Sequence, residues 1–220
     1  MTIREAIKAR HSVRQYQDRP IEEGAVSRLK ELTAQCNEES GLSIQLICED
    51  SECFNSFLAH YGKFTGVNNY FALVGKKTDP ELDEKCGYFG QKLVLEAQCL
   101  GLNTCWVGGS YSKIKCQAVI GEDEKLVCVI ALGYGENEGR RHKSKPFSAL
   151  TDVPEPEMPD WFKSGMIAAM MAPTAVNQQR FFVEIVAEEP VITAKKGFLT
   201  KLDLGIVKYN FEAASGHKCR

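Results

Sequence analysis

The chain is short of the features that mark secreted, membrane or nucleic-acid-binding proteins. No apolar run approaches the roughly 18 residues needed to cross a bilayer. The N-terminus, Met1-Thr2-Ile3-Arg4-Glu5-Ala6-Ile7, is amphipathic, so a cytoplasmic location is expected. Neither sign of charge dominates: 27 Lys and Arg stand against 29 Asp and Glu, for a formal net charge of -2. That balance excludes general attraction to nucleic acid or an anionic membrane surface and leaves any anion site to a local cluster of arginines. Of the nine cysteines (Cys36, Cys48, Cys53, Cys86, Cys99, Cys105, Cys116, Cys128 and Cys219), none forms a Cys-x-x-Cys pair, and the number is odd. Most have apolar neighbours. They read as buried reduced thiols rather than a disulfide framework, a zinc site or an iron–sulfur cluster, and no metal is expected.

What the chain does have is core-forming capacity. With 220 residues and 44% hydrophobic content, it fits one large domain or two small halves. Thr2 followed by Glu5 is a capping box that opens a first helix ending near Arg10. Val26, Leu29, Leu32, Thr33 and Cys36 lie at helical spacing, and Ser43–Cys48 reads as a strand. Ser51 can cap a short helix through Phe54 and Leu58, and Tyr70–Val74 reads as a buried strand. Asp79-Pro80 starts a central helix running to Gly101, and strands follow at Asn103–Val107 and Lys125–Leu132. The run Thr151–Pro159, with three prolines, reads as a linker. Beyond it come a helix at Trp161–Met171, a strand at Arg180–Val186 and an amphipathic helix at Leu202–Ala214. Residues 161–186 resemble residues 25–48 in order, and Gly205–Ala213 loosely resembles Gly90–Ala97 one residue out of register, which suggests an internal repeat.

Four segments carry chemistry. In Arg10-His11-Ser12-Val13-Arg14, the side chains of Arg10, Ser12 and Arg14 project to one side of an extended segment. Two guanidinium groups and a hydroxyl there suit a phosphate dianion, or else form a solvated turn. In Ala172-Pro173-Thr174-Ala175-Val176-Asn177-Gln178-Gln179, a proline stops a helix and polar side chains precede a strand. Such a loop can hydrogen-bond a planar heterocycle, or merely satisfy its own backbone. Gly101-Leu102-Asn103-Thr104-Cys105-Trp106-Val107-Gly108-Gly109 is a strand leading into two glycines, where a backbone can come close to a flat ligand. Leu132-Gly133-Tyr134-Gly135 precedes the basic residues Arg140, Arg141, His142, Lys143 and Lys145.

In this order the four segments resemble the FMN-dependent nitroreductase superfamily, and their layout resembles its single-chain, internally duplicated, thermophile nitroreductase-like branch. The resemblance implies an α+β fold, with a mostly antiparallel central sheet flanked by helices and two pseudo-symmetric halves mimicking a dimer. Residues 1–150 would be the nitroreductase-like half with the phosphate motif, and the shorter half at 158–220 would supply the flavin loop. It implies FMN held by Arg10, His11, Ser12, Arg14, Gly108, Gly109, Pro173, Thr174, Ala175, Asn177 and Gln179. Basic residues from the 140–145 run would help, in the order of preference Lys143, Lys145, Arg141, Arg140. The chain departs from the family pattern at several places. His11 stands for the usual second arginine, Thr174 for serine, Gly135 for proline, and Arg180-Phe181 for Pro-Trp. Asn37-Glu38-Glu39-Ser40-Gly41 occupies the first half's Pro-Ser-Asn position and, with two acids, is unsuited to a flavin. One flavin per chain is therefore expected, in a chain able to act as a monomer.

The implied chemistry is ping-pong transfer from NAD(P)H through flavin N5 to a nitroaromatic, quinone or similar small acceptor, with no catalytic side chain. Three other readings stay open: a different flavin reaction on the same scaffold, a non-catalytic FMN-binding or redox-sensing protein, and a relative that binds no cofactor.

Overall fold

The computed structural model describes residues 1–220, the side chain of Leu58 excepted, so the part of the short-helix expectation that rests on Leu58 lies outside it. Two compact units emerge: residues 10–82 with 93–141, and residues 1–9, 83–92 and 142–220.

The first unit is built on a four-stranded sheet in the order β1 (Gln45–Ile47), β2 (Asn69–Lys76), β4 (Glu124–Gly133) and β3 (Asn103–Val107). All three pairings are antiparallel. β2 is buried from Asn69 to Gly75, which explains why its sequence is an unbroken apolar run rather than an alternating one. Side chains of one pleat face, Tyr70, Ala72 and Val74 with Cys105, Val107, Val129 and Ala131, pack with Val13, Tyr16, Phe54 and Phe64 into one core. Helix α2 (Glu23–Ser40) precedes the sheet and ends at Gly41 in the left-handed conformation. Asn37 turns its side chain to the backbone of Ile44, accepting its N–H at 2.8 Å and donating to its carbonyl at 2.9 Å. Residues 37–41 are thus a helix end and not a polar loop. Before the short helix α3 (Phe57–Tyr61), the turn Glu52–Phe54 is capped by Asp50 rather than Ser51, through Glu52 N–H to Oδ1 at 2.9 Å.

The second unit is mainly helical. The capping box forms as read: Thr2 N–H donates to Glu5 Oε2 at 2.8 Å, and Glu5 N–H to Thr2 Oγ1 at 3.3 Å, opening α1 (Ile3–Ala9). Helices α5 (Asp160–Met170) and α6 (Thr200–Ser215) enclose a hairpin of β5 (Phe181–Val186) and β6 (Glu189–Ala194) in the chain order. Gly165 of α5 seats the Phe211 ring of α6, because a Cβ at Gly165 would lie 2.5 Å from it. The Pro-rich run is tied down: Leu150 O accepts Val183 N–H at 2.8 Å, and Thr151 and Met158 are buried.

The helix α4 (Leu82–Cys99) brings its first half, Asp83–Lys92, into this unit, where it crosses α6 backbone to backbone. A Cβ on Gly87 would sit 2.0 Å from Leu202 O, and one on Gly205 would sit 1.9 Å from Glu84 O. Each glycine faces the carbonyl three residues before the other, so the contact is reciprocal. The pair is fastened by Lys208 to Glu84 at 2.6 Å and Gln91 to Asn210 at 2.9 Å.

Candidate functional site

The segment 10–16 runs as an extended strip along the β3 edge of the sheet. Val13 N–H donates to Thr104 O at 3.1 Å, Ser12 bridges to Thr104 in parallel, and Tyr16 bridges to Gly135. Tyr16 anchors the strip by donating its hydroxyl to Val13 O at 2.7 Å from within the core. The strip covers an otherwise open sheet edge and brings three of the sequence segments, 10–14, 103–107 and 133–140, to one place.

There, Ser12, Arg14, Gln15, Lys63, Asn137, Gly139 and Arg140 line a cleft of about 660 Å³. Gly139 has φ +73°, and a Cβ on it would come 2.9 Å from Ser12 O and 3.0 Å from His11 Cβ, so only glycine lets the loop lie on the strip. The Cys105 thiol lies beside Ser12, and burial pushes it up despite the two neighbouring arginines. Arg10 is 5% exposed, and burial lowers its guanidinium to about 10, which leaves it charged at neutral pH. No carboxylate offsets that burial. Nor does Arg14, Lys63 or Arg140 form an ion pair among the described residues. A buried cation with no counter-ion is costly, and Arg14, the other arginine near Cys105, repeats its sign.

One departure from the family pattern, Gly135 in place of proline, is answered within this site. Asn103 Oδ1 accepts the Gly135 N–H at 2.9 Å, a bond that proline cannot donate. Gly108 and Gly109 are exposed after β3, and a Cβ on Gly109 would meet open space, so no packing within the protein demands glycine there.

The loop 173–179 has the opposite character. Val176, Asn177 and Gln179 all have positive φ, at 47°, 54° and 45°. Such backbone is strained for non-glycine residues, most of all for β-branched Val176. A dense set of hydrogen bonds holds it. Gln179 N–H donates to Thr174 Oγ1 at 3.0 Å, and Gln179 Nε2 donates to Lys143 O and to Asn177 Oδ1, each at 3.0 Å. Asn177 Nδ2 donates to Lys143 O at 3.0 Å, while Lys145 Nζ reaches Gln178 O at 2.7 Å and Gln179 O at 3.1 Å. Gln179 is buried with its amide turned into the protein, and the ammonium of Lys145 holds the loop's own carbonyls. The exposed residues are Val176 and Asn177.

Beneath the loop sits Asp203 of α6, which the amphipathic reading of that helix did not single out. Its Oδ1 accepts Ala175 N–H at 2.9 Å and its Oδ2 accepts Gln178 Nε2 at 2.8 Å. Burial raises its carboxyl to about 6, opposed by these two donors. Lys63, Gln15 and Asn137 of the cleft also escaped the sequence reading, and Arg140, ranked last in the basic run, lines it. Lys63 and Asn137 lie on loops, in no motif.

The chain thus combines a mixed helix and antiparallel-sheet fold with a basic cleft at one sheet edge. The chain matches the family described as "Putative TM nitroreductase" over residues 2–215, and it belongs to that family of the nitroreductase superfamily. The "putative nitroreductase" of Thermotoga maritima shares the fold with a TM-score of 0.71 at 20% identity, over 97% of this chain and 83% of that one. A relative from Desulfovibrio desulfuricans, solved in complex with FMN, aligns with a TM-score of 0.56 at 19% identity, over 69% of this chain and 96% of that one. A Bacteroides thetaiotaomicron protein named as an NADH dehydrogenase/NAD(P)H nitroreductase gives 0.53 at 17% identity, over 67% and 95%. No curated protein matches the chain.

Proposed function

We propose that the chain is an FMN-dependent oxidoreductase whose cleft at Ser12 and Arg14 takes the flavin phosphate. The observation that carries this reading is Arg10, a charged guanidinium 5% exposed with no carboxylate beside it. Arg14, Lys63 and Arg140 line the cleft on the same strip as Arg10, so the region lacks an anion, and a phosphate dianion accepts charge-assisted, bidentate hydrogen bonds from arginine. A cleft of about 660 Å³ has room for a phosphate and the polyol chain attached to it.

As the family resemblance implies, the exposed backbone at Gly108 and Gly109 and the loop Pro173–Gln179 flank the ring of the same cofactor. In that loop Thr174, Asn177 and Gln179 fix a strained backbone, leaving Val176 and Asn177 at its surface. Lys143 and Lys145 act through it, by carbonyl and ammonium respectively. When bound, FMN supplies two-electron chemistry between NAD(P)H and an electron-poor small acceptor, and the protein supplies position and electrostatics. The duplicated, one-flavin arrangement is part of the proposal. Apart from the inserted α3, the order α2–β1–β2–α4 recurs as α5–β5–β6–α6, Gly87 and Gly205 cross reciprocally, and residues 37–41 close a helix where the first half would need a flavin loop.

The test is anaerobic addition of NADH or NADPH to the yellow protein. Bleaching of the flavin bands, followed by reoxidation with a nitroaromatic or a quinone, is the expected outcome. Bound flavin that neither nucleotide bleaches would leave a sensor or another flavin reaction instead. Protein that takes up no flavin would end the reading.

A further inference from the structure

Two of the nine cysteines do not fit the description of inert buried thiols. The segment after β3 folds back so that Ser112 N–H donates to Cys53 O at 2.8 Å, while Cys116 N–H donates to Ser112 O at 3.1 Å. Cys53 Sγ lies 4.0 Å from that same Ser112 oxygen. The next residue, Gln117, donates its N–H to the Tyr70 hydroxyl at 3.1 Å, and Tyr70 donates to Asp50 Oδ2 at 2.5 Å. Cys116 packs against the core cluster that contains Cys53, Tyr70 and Tyr111, with the Cys53 thiol as its hydrogen-bonding neighbour. A second hydroxyl, that of Tyr111, is buried in the same core without a hydrogen-bond partner, facing Cys53 and Cys116. Cys53 is fully buried and Cys116 is partly open to solvent.

We infer that Cys53 and Cys116 form a dithiol–disulfide couple that small-molecule disulfides oxidise, with Cys116 the attacking thiol and Cys53 the resolving one. The surroundings make the two sulfurs unequal. The Cys53 S–H and the Ala118 N–H stabilise a thiolate at Cys116 and bring it below the ordinary thiol range against the cost of burial. Cys53, giving its proton to that contact and more deeply buried, is pushed well above the ordinary thiol range. One thiolate beside one thiol is the arrangement that thiol–disulfide exchange uses. The Cys116 thiolate attacks one sulfur of oxidised glutathione, forming a mixed disulfide and releasing one glutathione thiolate, which takes up a proton. Cys53 then loses its proton and attacks the Cys116 sulfur, releasing the second glutathione and closing the Cys53–Cys116 disulfide. Two protein thiols are oxidised by two electrons, and one disulfide is reduced to two thiols.

The purified protein is incubated with oxidised glutathione at neutral pH, without nicotinamide nucleotide, and unreduced peptides are mapped by mass spectrometry. A Cys53–Cys116 linked peptide is expected, with the other cysteines still open to alkylation after denaturation. Cys53→Ser should stop at a glutathione adduct on Cys116, and Cys116→Ser should form neither product. Because serine at buried position 53 can disturb the fold, the unmodified chain supplies a second readout, the alkylation rate of Cys116 against pH. That rate should reach its half-maximum below the ordinary thiol range and at pH 7 exceed that of Cys105 by about tenfold or more. A disulfide joining any other pair, no disulfide at all, or a Cys116 that titrates like an ordinary thiol would overturn the inference. These outcomes do not depend on the flavin reading, since neither FMN uptake nor bleaching enters them.

Discussion

The cleft at Ser12 and Arg14 and the loop at 173–179 solve opposite problems. At the cleft the charged groups outnumber their partners: Arg14, Lys63 and Arg140 line it, and Arg10 is buried on the same strip without a carboxylate. In the loop nearly every polar side chain is spoken for, and three left-handed residues are held in place by bonds to Lys143, Lys145 and Asp203. A region short of partners gains most from a ligand, whereas a region that has satisfied itself beforehand offers a fixed shape. Substitutions should therefore separate affinity from stability, by region.

The largest separation is expected at Arg10. Arg10→Met removes an uncompensated buried charge, so the apoprotein should unfold at equal or higher urea concentration. FMN affinity, by contrast, should fall by about 4 kcal/mol, close to a thousandfold, through loss of charge-assisted bonds. A variant that loses stability while keeping its FMN affinity would reverse the assignment.

The loop should show its character in pH dependence. The carboxyl of Asp203 is at about 6 in the folded chain against an ordinary 3.8. Between those values the unfolded chain has lost the proton and the folded chain keeps it, so stability falls as pH rises through the window. The total is about 3 kcal/mol. Urea titrations across pH 4 to 7 should show this slope in the parent chain and lose it in Asp203→Asn. Asp203→Ala should cost about 2 kcal/mol at neutral pH, since the Ala175 N–H and the Gln178 amide lose their acceptor while a desolvated charge is relieved. The smallest effect belongs to the Asn103–Gly135 pair. Asn103→Ala should cost about 1 kcal/mol by orphaning the Gly135 N–H, and Asn103→Gly should cost nothing further once Gly135→Pro is in place. A thermal double-mutant cycle would measure that coupling.

The sheet and the main helices were legible because they depend on local periodicity. The strand at Asn103–Val107 has the bounds read from its motif, and β2 was visible as an apolar run. Strand β6 was not anticipated. Its hairpin turns at Ala187 and Glu188 with φ 51° and 66°, a geometry that sequences usually announce with Asn-Gly or Gly, and Pro190 stands inside the strand. The motif residues Ser12 and Arg14 were found by pattern, but Lys63 and Asn137 join them only through folding. At 173–179 the sequence told which residues are polar, not where they point. Gln179 turns inward, and Asp203, 28 residues from Ala175, holds the loop from a helix whose pattern suggested packing alone.

The central proposal is one FMN per chain, with its phosphate in the cleft beside Ser12 and Arg14. Titration of the apoprotein with FMN, followed by quenching of flavin fluorescence, tests this directly. A breakpoint at one flavin per chain, lost in both Arg10→Met and Asp203→Ala at micromolar protein, is the predicted result. A breakpoint at two, or uptake that survives Arg10→Met unchanged, would contradict it.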